Sequence, residues 1–458
     1  MNKITLFSLF ITGIFVACNK NNDNTVTPVL KLVDTLSAYI TADLVLDATK
    51  DYVIKGNVIV KNNASLTIPS DINVFMTKND AAADKSCLVI SKGSKLFVNG
   101  TLDKPVVFTS GAAVKAPGDW GAIIVLGKAP TNTVTGNIAG LPVSADTEYG
   151  GTVSDDNSGA IQYLRLEYCG GINSDNENEW SVDKASGLVL ASVGSGTAID
   201  NVMVEHSNDD GFQFVGGTVN ATHLIAFNNG DDDFDFDLGY TGKLEYIIAY
   251  RSQLTSTHAL RANGFESYND EVPTLNTPLT RPVVSNMTII GPKGNLPMTG
   301  NINQGVYIRK GTRFVIQNSI IAEYTKGGLM VCPKTRPILL LNTGSLFRYN
   351  LVHSDTSSKT FCFDRGSEVL AFADPELEVF ALNTTNNNQL FTSSADLMLK
   401  TMYSANGPDL SPATGSPALS GANFEGADYV GFFNTSTAYR GAVGPTNWAA
   451  ASNWAVFK

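Results

Sequence analysis

The sequence is poor in cysteine and in positive charge. Five cysteines are spread over 458 residues, and Cys87, Cys169, Cys332 and Cys362 form no Cys-X-X-Cys pair. This spacing excludes the usual cysteine zinc sites, and so long a chain needs no disulfide scaffold; we expect buried thiols or incidental pairs. Acidic residues outnumber basic ones by 43 to 32, which gives a net charge of −11. That balance argues against nucleic acid as a partner and favours a bound cation.

Long hydrophobic runs are also missing, apart from one at the N-terminus. Residues 4–17 are apolar and follow Lys3, but 14 residues are too few for a stable membrane-spanning helix. The run ends in Phe15-Val16-Ala17-Cys18, which resembles a bacterial lipoprotein cleavage site. We therefore predict a signal peptide over residues 1–17, a lipid on Cys18 that attaches the protein to a membrane, and a place in the cell envelope, at the outer membrane. The alternative is an ordinary signal peptide with an incidental cysteine.

One segment of the chain occurs twice. Residues 202–214 and 224–236 repeat the same apolar and acidic positions at an offset of 22 residues. Around them, short apolar runs alternate with Gly, Asn and Asp corners, a pattern typical of a β-solenoid. We predict an all-β parallel β-helix of roughly 11–13 coils over residues 51–354. Residues 18–50 are predicted to form a tether and N-terminal lead-in segment, and residues 355–458 a C-terminal capping region.

Several motifs carry a family resemblance. They are Gly118-Asp119-Trp120-Gly121, Glu148-Tyr149-Gly150-Gly151, Asn208-Asp209-Asp210-Gly211-Phe212 with its echo at 231–236, and Gly415-Ser416-Pro417. With these motifs the chain resembles right-handed parallel β-helices of the pectin-lyase-like class, and in particular a group of Bacteroidetes lipoproteins. The resemblance covers about residues 50–445. It implies the fold and the envelope location, but no established activity.

Stacking of the two copies predicts an acidic cluster. Equivalent residues on neighbouring coils lie about 4.8 Å apart, so Phe212 should stack on Phe234 and Phe214 on Phe236 inside the core. The acidic residues then divide into a corner set and an outward set. The corner set places Asp209 and Asp210 above Asp231 and Asp232, and the outward set is Asp233, Asp235 and Asp237.

Such crowding of carboxylates has a cost that something must offset. Two unit charges about 5 Å apart repel by roughly 1–3 kcal/mol at dielectric constants of 80 to 20. Proton uptake, backbone N–H groups or a Ca²⁺ ion with 6–8 oxygen ligands would each relieve the repulsion. The predicted Ca²⁺ ligands are Asp209, Asp210, Asp231, Asp232 and Asp233. The predicted ligand-binding residues are Asn208, Asp209, Asp233, Asp235 and Asp237. No other cofactor is indicated.

A catalytic interpretation uses the same residues. Polygalacturonase-type glycosidases of this fold use Asn-X-Asp followed by Asp-Asp one coil later, which makes Asp210, Asp231 and Asp232 the catalytic candidates. The later elements of that pattern, His-Gly and Arg-X-Lys, are not matched by His258-Ala259 or by Arg309-Lys310. A lyase variant would use Ca²⁺ on the cluster and take Arg251, Arg261 or Lys310 as its base.

Three functional hypotheses follow. The first is a non-catalytic module that binds glycan or another surface ligand, with Ca²⁺ as a stabilising ion. The second is a hydrolase or lyase that acts on an acidic, uronate-containing polysaccharide. The third is a purely structural envelope protein, in which corner Asp and Asn side chains only satisfy backbone donors.

Overall fold

The computed structural model describes thirteen stretches of the chain. They are residues 31–78, 85–133, 136–138, 141, 143–171, 186–252, 262–270, 275–293, 304–324, 327–341, 344–363, 372–404 and 407–457. Residues Leu32–Lys458 form one compact unit. No helix among these described residues is long and apolar enough to cross a membrane.

Two long sheets make up the fold. The larger sheet has seventeen strands: β1 Leu32–Thr35, β3 Leu44–Val45, β4 Lys50–Ile54, β6 Ser65–Pro69, β7 Asn73–Met76, β9 Lys95–Asn99, β10 Val106–Ser110, β14 Gly159–Glu167, β16 Ala198–Glu205, β18 Asn220–Phe227, β20 Lys243–Tyr250, β22 Val283–Ile290, β24 Val315–Gln317, β25 Ile320–Tyr324, β27 Leu346–Arg348, β28 Leu351–Ser354 and β31 Gln389–Phe391. The smaller sheet has twelve: β2 Tyr39–Ile40, β5 Asn57–Val60, β8 Cys87–Ile90, β11 Ile123–Leu126, β15 Leu188–Ala191, β17 Phe212–Val215, β19 Phe234–Asp237, β21 Phe265–Ser267, β23 Val306–Ile308, β26 Leu329–Val331, β29 Phe361–Phe363 and β30 Phe372–Ala373.

The remaining elements are short. Two hairpins pair β12 Gly136–Asn137 with β13 Glu148–Tyr149, and β32 Leu399–Thr401 with β33 Asp409–Pro412. The α-helices are α1 Arg336–Leu340 and α2 Pro375–Ala381. Single 3-10 turns cover Ser357–Lys359, Ser394–Leu397, Pro417–Leu419 and Ala427–Tyr429.

The strands form a parallel β-helix, as predicted. Eleven strands of the smaller sheet, one from each coil, pair in parallel within the described residues, and only β30 pairs antiparallel. Nine of these eleven strands lie within residues 51–354, the range for which 11–13 coils are predicted, and β2 and β29 lie outside it. Long strands of the larger sheet bend where one residue takes a left-handed conformation, for example Asn201 (φ 54°) in β16 and Asn286 (φ 54°) in β22, and Asn318 (φ 55°) takes it between β24 and β25. Asparagine tolerates this region better than most residues, so it suits the corner.

The core is a column of stacked apolar side chains. The Phe212 and Phe234 rings lie 5.1 Å apart between centroids, and those of Phe214 and Phe236 lie 4.9 Å apart. All four rings are fully buried, so the predicted stacking is confirmed. Burial of each ring contributes about 1.5–3 kcal/mol. The four described cysteines, Cys87, Cys169, Cys332 and Cys362, are all buried.

The coils begin earlier than predicted. β1 pairs with β4 in parallel, with Leu32 beside Lys50, so the first coil lies within the range assigned to the lead-in segment. The strands of this coil are only 2–4 residues long, too short to show an alternating pattern.

The C-terminal region has two parts. Leu377 and Ala381 of α2 are fully buried and belong to the main core. The C-terminal strap (residues 392–404 and 407–457) instead lies along the outer face of the larger sheet. Its buried residues Trp454 and Phe457 pack in one cluster with Phe227 and Tyr250.

Candidate functional site

The acidic cluster lies at the corner that leads into the smaller sheet. Asp209 and Asp210 precede β17, and Asp231 and Asp232 occupy the equivalent places before β19. The backbone N–H of Asp232 donates to Asp210 Oδ1 at 2.9 Å, one coil away. The corner set therefore stacks as predicted. Asn208 lies beside it and donates its side-chain amide to the carbonyl oxygen of Gly171 at 2.6 Å.

A row of polar side chains continues from the corner along the outer face of the sheet. In the strand register Gln213 lies beside Asp235, and Asp235 lies beside Glu266. Asp237 shares this face and accepts the hydroxyl of Tyr268 at 3.0 Å. Asp235 and Asp237 thus point away from the core as predicted. Both are nevertheless buried, with 4% and 1% of their surface exposed.

Asp233 does not belong to this outward row, which corrects the prediction. It precedes β19, is fully buried, and accepts from Arg251 Nε at 2.9 Å and from Asn229 Nδ2 at 3.2 Å. Inward and outward positions alternate only within a strand, and Asp233 lies in the corner before the strand begins. Burial raises the pKa of Asp233 to about 6, so at neutral pH its carboxylate is ionised and balances the guanidinium.

Two of the basic residues considered for lyase chemistry, Arg251 and Lys310, lie among the described residues. Arg251 is fully buried and donates to the carbonyl oxygens of Asn229, Asp231 and Asn263 as well as to Asp233. The Nζ atom of Lys310 lies over the ring of Tyr268, 4.9 Å from its centroid. Arg261 and His258 lie outside the described residues.

Two groups of three carboxylates come close enough to share an ion. Within each group the ligand oxygens lie within 4.8 Å of one another; the groups are Asp209, Asp210 and Asp231, and Asp232, Asp235 and Glu266. We call the second group the inner trio, because all three of its residues are buried. Arg309 Nη1 donates to both carboxylate oxygens of Glu266, at 2.9 and 3.1 Å.

The site predicted from the sequence does not include Glu266. Asp235 pairs with Glu266 at an offset of 31 residues, whereas the repeat has an offset of 22. Extra residues between the two coils therefore conceal the correspondence. A local signal does exist, since Phe265-Glu266 repeats the alternation of Phe234-Asp235.

Burial and mutual repulsion dominate the electrostatics of the cluster. Burial raises the pKa of Asp210, Asp232 and Asp235 well above the usual range for aspartate. Neighbouring carboxylates raise each pKa further, most strongly Asp209 for Asp210, Glu266 for Asp232 and Asp237 for Asp235. The cluster therefore needs either protons or a cation.

One oxygen of the inner trio lacks a hydrogen bond. Asp235 Oδ2 accepts a weak bond from Gln213 Nε2 at 3.4 Å. Asp235 Oδ1 is buried and accepts none among the described residues. An unsatisfied buried polar atom costs about 1–3 kcal/mol, and more when it is charged. A hard cation that prefers carboxylate oxygens, such as Ca²⁺, fits this set of donors.

Comparison with known proteins agrees with the fold. The family model described as "Pectate-lyase like beta helix domain" matches residues 38–361, a span that includes the whole acidic cluster. No curated protein and no solved structure matches the chain. The matched span is more than half of the 458 residues. Its parallel coils and this match together show that the chain belongs to the pectate-lyase like beta helix domain family.

Proposed function

We propose that this chain is a non-catalytic binding module of the cell envelope, and that its inner trio holds a divalent cation, calcium in particular. The observation that carries the calcium proposal is Asp235 Oδ1, a buried carboxylate oxygen without a hydrogen bond in the described structure. One carboxylate oxygen from each of Asp232, Asp235 and Glu266 lies within 4.8 Å of those of the other two residues.

The charge balance of the inner trio supports a dication. Three ionised carboxylates and the guanidinium of Arg309 leave two negative charges. Without a cation those charges repel in a buried place, and the raised pKa values of Asp232 and Asp235 reflect that cost. One Ca²⁺ would neutralise the remaining charge and supply a partner to the orphaned oxygen.

Burial also favours binding over catalysis. A general acid or base must come within hydrogen-bond reach of the bond it acts on. Asp210 and Asp232 are more than nine-tenths buried, and Arg251 is wholly engaged with the corner. A polysaccharide hydrolase is the second candidate, because a raised pKa such as that of Asp210 is what a general acid requires.

A cleavage assay separates these two candidates. The full chain is incubated with a panel of uronate polymers, with and without Ca²⁺, beside Asp210→Asn and Asp232→Asn variants. We expect no new chain ends from any of the three proteins. Cleavage by the unmodified chain that both variants abolish would establish the enzyme and overturn the binding module.

The ligand in this proposal is a glycan or another surface ligand of the envelope. An acidic chain anchored in the envelope meets polysaccharide rather than nucleic acid, and the coils offer a long lateral surface. Binding to at least one carbohydrate on a glycan array is expected. An array without any signal, at saturating Ca²⁺, would contradict the glycan assignment.

The envelope location is itself part of the proposal. It rests on the apolar run at residues 4–17 and on Cys18, both outside the described residues. If Cys18 carries the lipid, a Cys18→Ser variant should leave the membrane fraction and incorporate no labelled palmitate, while a Ser8→Ala variant should behave like the unmodified chain. Equal membrane retention of both variants would exclude lipid on this cysteine.

A further inference from the structure

A second cluster of ligand-type side chains lies on the larger sheet, away from the acidic cluster. Glu323 comes from β25, His353 from β28, and Asp355 directly follows β28. One ligand atom from each residue lies within 4.8 Å of those of the other two. Glu323 and His353 are buried, whereas Asp355 is exposed and gives the group access to solvent.

The backbone at this place directs Glu323 into the cluster. The register between β25 and β28 shifts between Ile321 and Tyr324, and Glu323 takes a left-handed conformation with a φ of 65°. An extra residue in one strand re-aims side chains, and such irregularities are common next to functional sites. Without this bulge, simple alternation along the strand would set the direction of the Glu323 side chain.

The contacts leave the three groups ready to hold a cation. The buried imidazole of His353 presents the lone pair of its Nδ1 atom to Glu323. That lone pair now accepts the backbone N–H of Glu323 over a long 3.3 Å, a weak bond that a metal can replace. The Glu323 side chain also shares a hydrogen bond with the carboxyl group of Asp355.

We propose that Glu323, His353 and Asp355 form a site for a transition-metal dication, of which Zn²⁺ is the best match. One imidazole nitrogen and two carboxylate oxygens are ligands that Zn²⁺ accepts, and the nitrogen distinguishes this site from the all-oxygen inner trio. The inference stands independently of the proposed calcium site, because the two clusters share no residue.

The bound metal would fasten the C-terminal strap to the coils. Ser394, at the start of the strap, donates its hydroxyl to Glu323 Oε1. A metal on Glu323 would therefore order the two coils and the strap together. We expect Zn²⁺ to raise the thermal stability of the chain and to slow proteolysis within residues 392–457.

Isothermal titration of the EDTA-treated full chain with ZnCl2 and, separately, with CaCl2 tests the proposal. We expect saturable zinc binding that His353→Gln weakens by at least about tenfold, while calcium binding is unchanged. His223→Gln is the matched control, since His223 is half-exposed and bonded to Asp200, and it should bind zinc like the unmodified chain.

A second variant tests the site even if His353→Gln fails to fold. Asp355 is exposed, so Asp355→Asn should fold normally, as circular dichroism would verify, and still lose zinc affinity. The proposed site is wrong if the unmodified chain does not bind zinc. It is also wrong if both variants bind zinc as tightly as the unmodified chain. If Asp235→Asn were the only variant to lose zinc binding, the zinc site would be the inner trio. That result would also contradict this assignment.

Discussion

At the scale of single residues, the corner before β19 depends on one buried guanidinium. Arg251 and Asp233 are both fully buried and lie 2.9 Å apart between Nε and Oδ2. The same guanidinium donates to the carbonyl oxygens of Asn229, Asp231 and Asn263, so it links the corners of neighbouring coils. Its role is to hold the corner on which the acidic cluster is built.

Replacement of this arginine should be costly. We expect Arg251→Met to lower the free energy of unfolding by about 3–5 kcal/mol, because Asp233 would remain as an uncompensated buried charge. Urea denaturation followed by circular dichroism measures the change. Arg281→Met is the control, since Arg281 pairs with Asp428 at a half-exposed site and should cost about 1 kcal/mol or less. Equal losses in the two variants would contradict the role given to Arg251.

At the scale of elements, the C-terminal strap covers apolar surface that the coils leave on their outer side. Trp454 is fully buried, lies edge-on to Tyr163 at 5.6 Å between ring centroids, and donates Nε1–H to the carbonyl oxygen of Leu164 at 3.3 Å. Arg165 in turn donates to the carbonyl oxygens of Asn453 and Trp454. The end of the strap is thus fixed by packing and by hydrogen bonds.

Truncation of Trp454 should loosen this element. Trp454→Ala is expected to destabilise the chain by about 3–5 kcal/mol through a cavity beneath the strap. Trp448→Ala should cost clearly less, because Trp448 is only partly buried. Guanidinium unfolding curves of the two variants provide the comparison. A larger loss of unfolding free energy in Trp448→Ala than in Trp454→Ala would contradict the attachment of the strap through Trp454.

The sequence predicts some of these elements well and others poorly, for physical reasons. The Phe212–Phe234 stack was predictable because an uninterrupted coil of 22 residues separates the two rings. Glu266 was not, because the next coil has an offset of 31 residues. Asp233 was placed on the wrong face because alternation was extended one residue beyond the strand. The path of the strap depends on contacts between distant residues, such as Trp454 with Leu164, which no local pattern encodes.

At the scale of the whole molecule, the buried carboxylates should make stability depend on pH. Burial raises the pKa of Asp210, Asp232 and Asp235, and raises that of Glu245 to about 7. The folded chain therefore binds more protons than the unfolded chain between about pH 4 and pH 7 or above. Stability from these groups is present at the acidic end of that window and is lost as the pH rises. Groups with lowered pKa, such as Asp428, act in the opposite sense but below that window.

Calcium should weaken the pH dependence of the free energy of unfolding. In EDTA we expect the free energy of unfolding to fall between about pH 5 and pH 8, since the clustered carboxylates lose their protons. In excess Ca²⁺ the fall should be much smaller, because the ion stabilises the ionised inner trio. Urea midpoints across this range, at constant ionic strength, measure both slopes. Identical slopes with and without Ca²⁺ would contradict a cation on the buried carboxylates.

The most direct test is a calorimetric titration of the EDTA-treated full chain with Ca²⁺, alongside two aspartate variants. Asp235→Asn removes the charge at the orphaned oxygen yet mimics the protonated carboxyl, so the variant should fold. Asp428→Asn changes a half-exposed aspartate that pairs with Arg281 and shares no contact group with the inner trio. We predict saturable binding by the unmodified chain and by Asp428→Asn, and affinity at least about tenfold weaker for Asp235→Asn. Absence of binding to the unmodified chain, or equal affinity of all three proteins, would contradict the account.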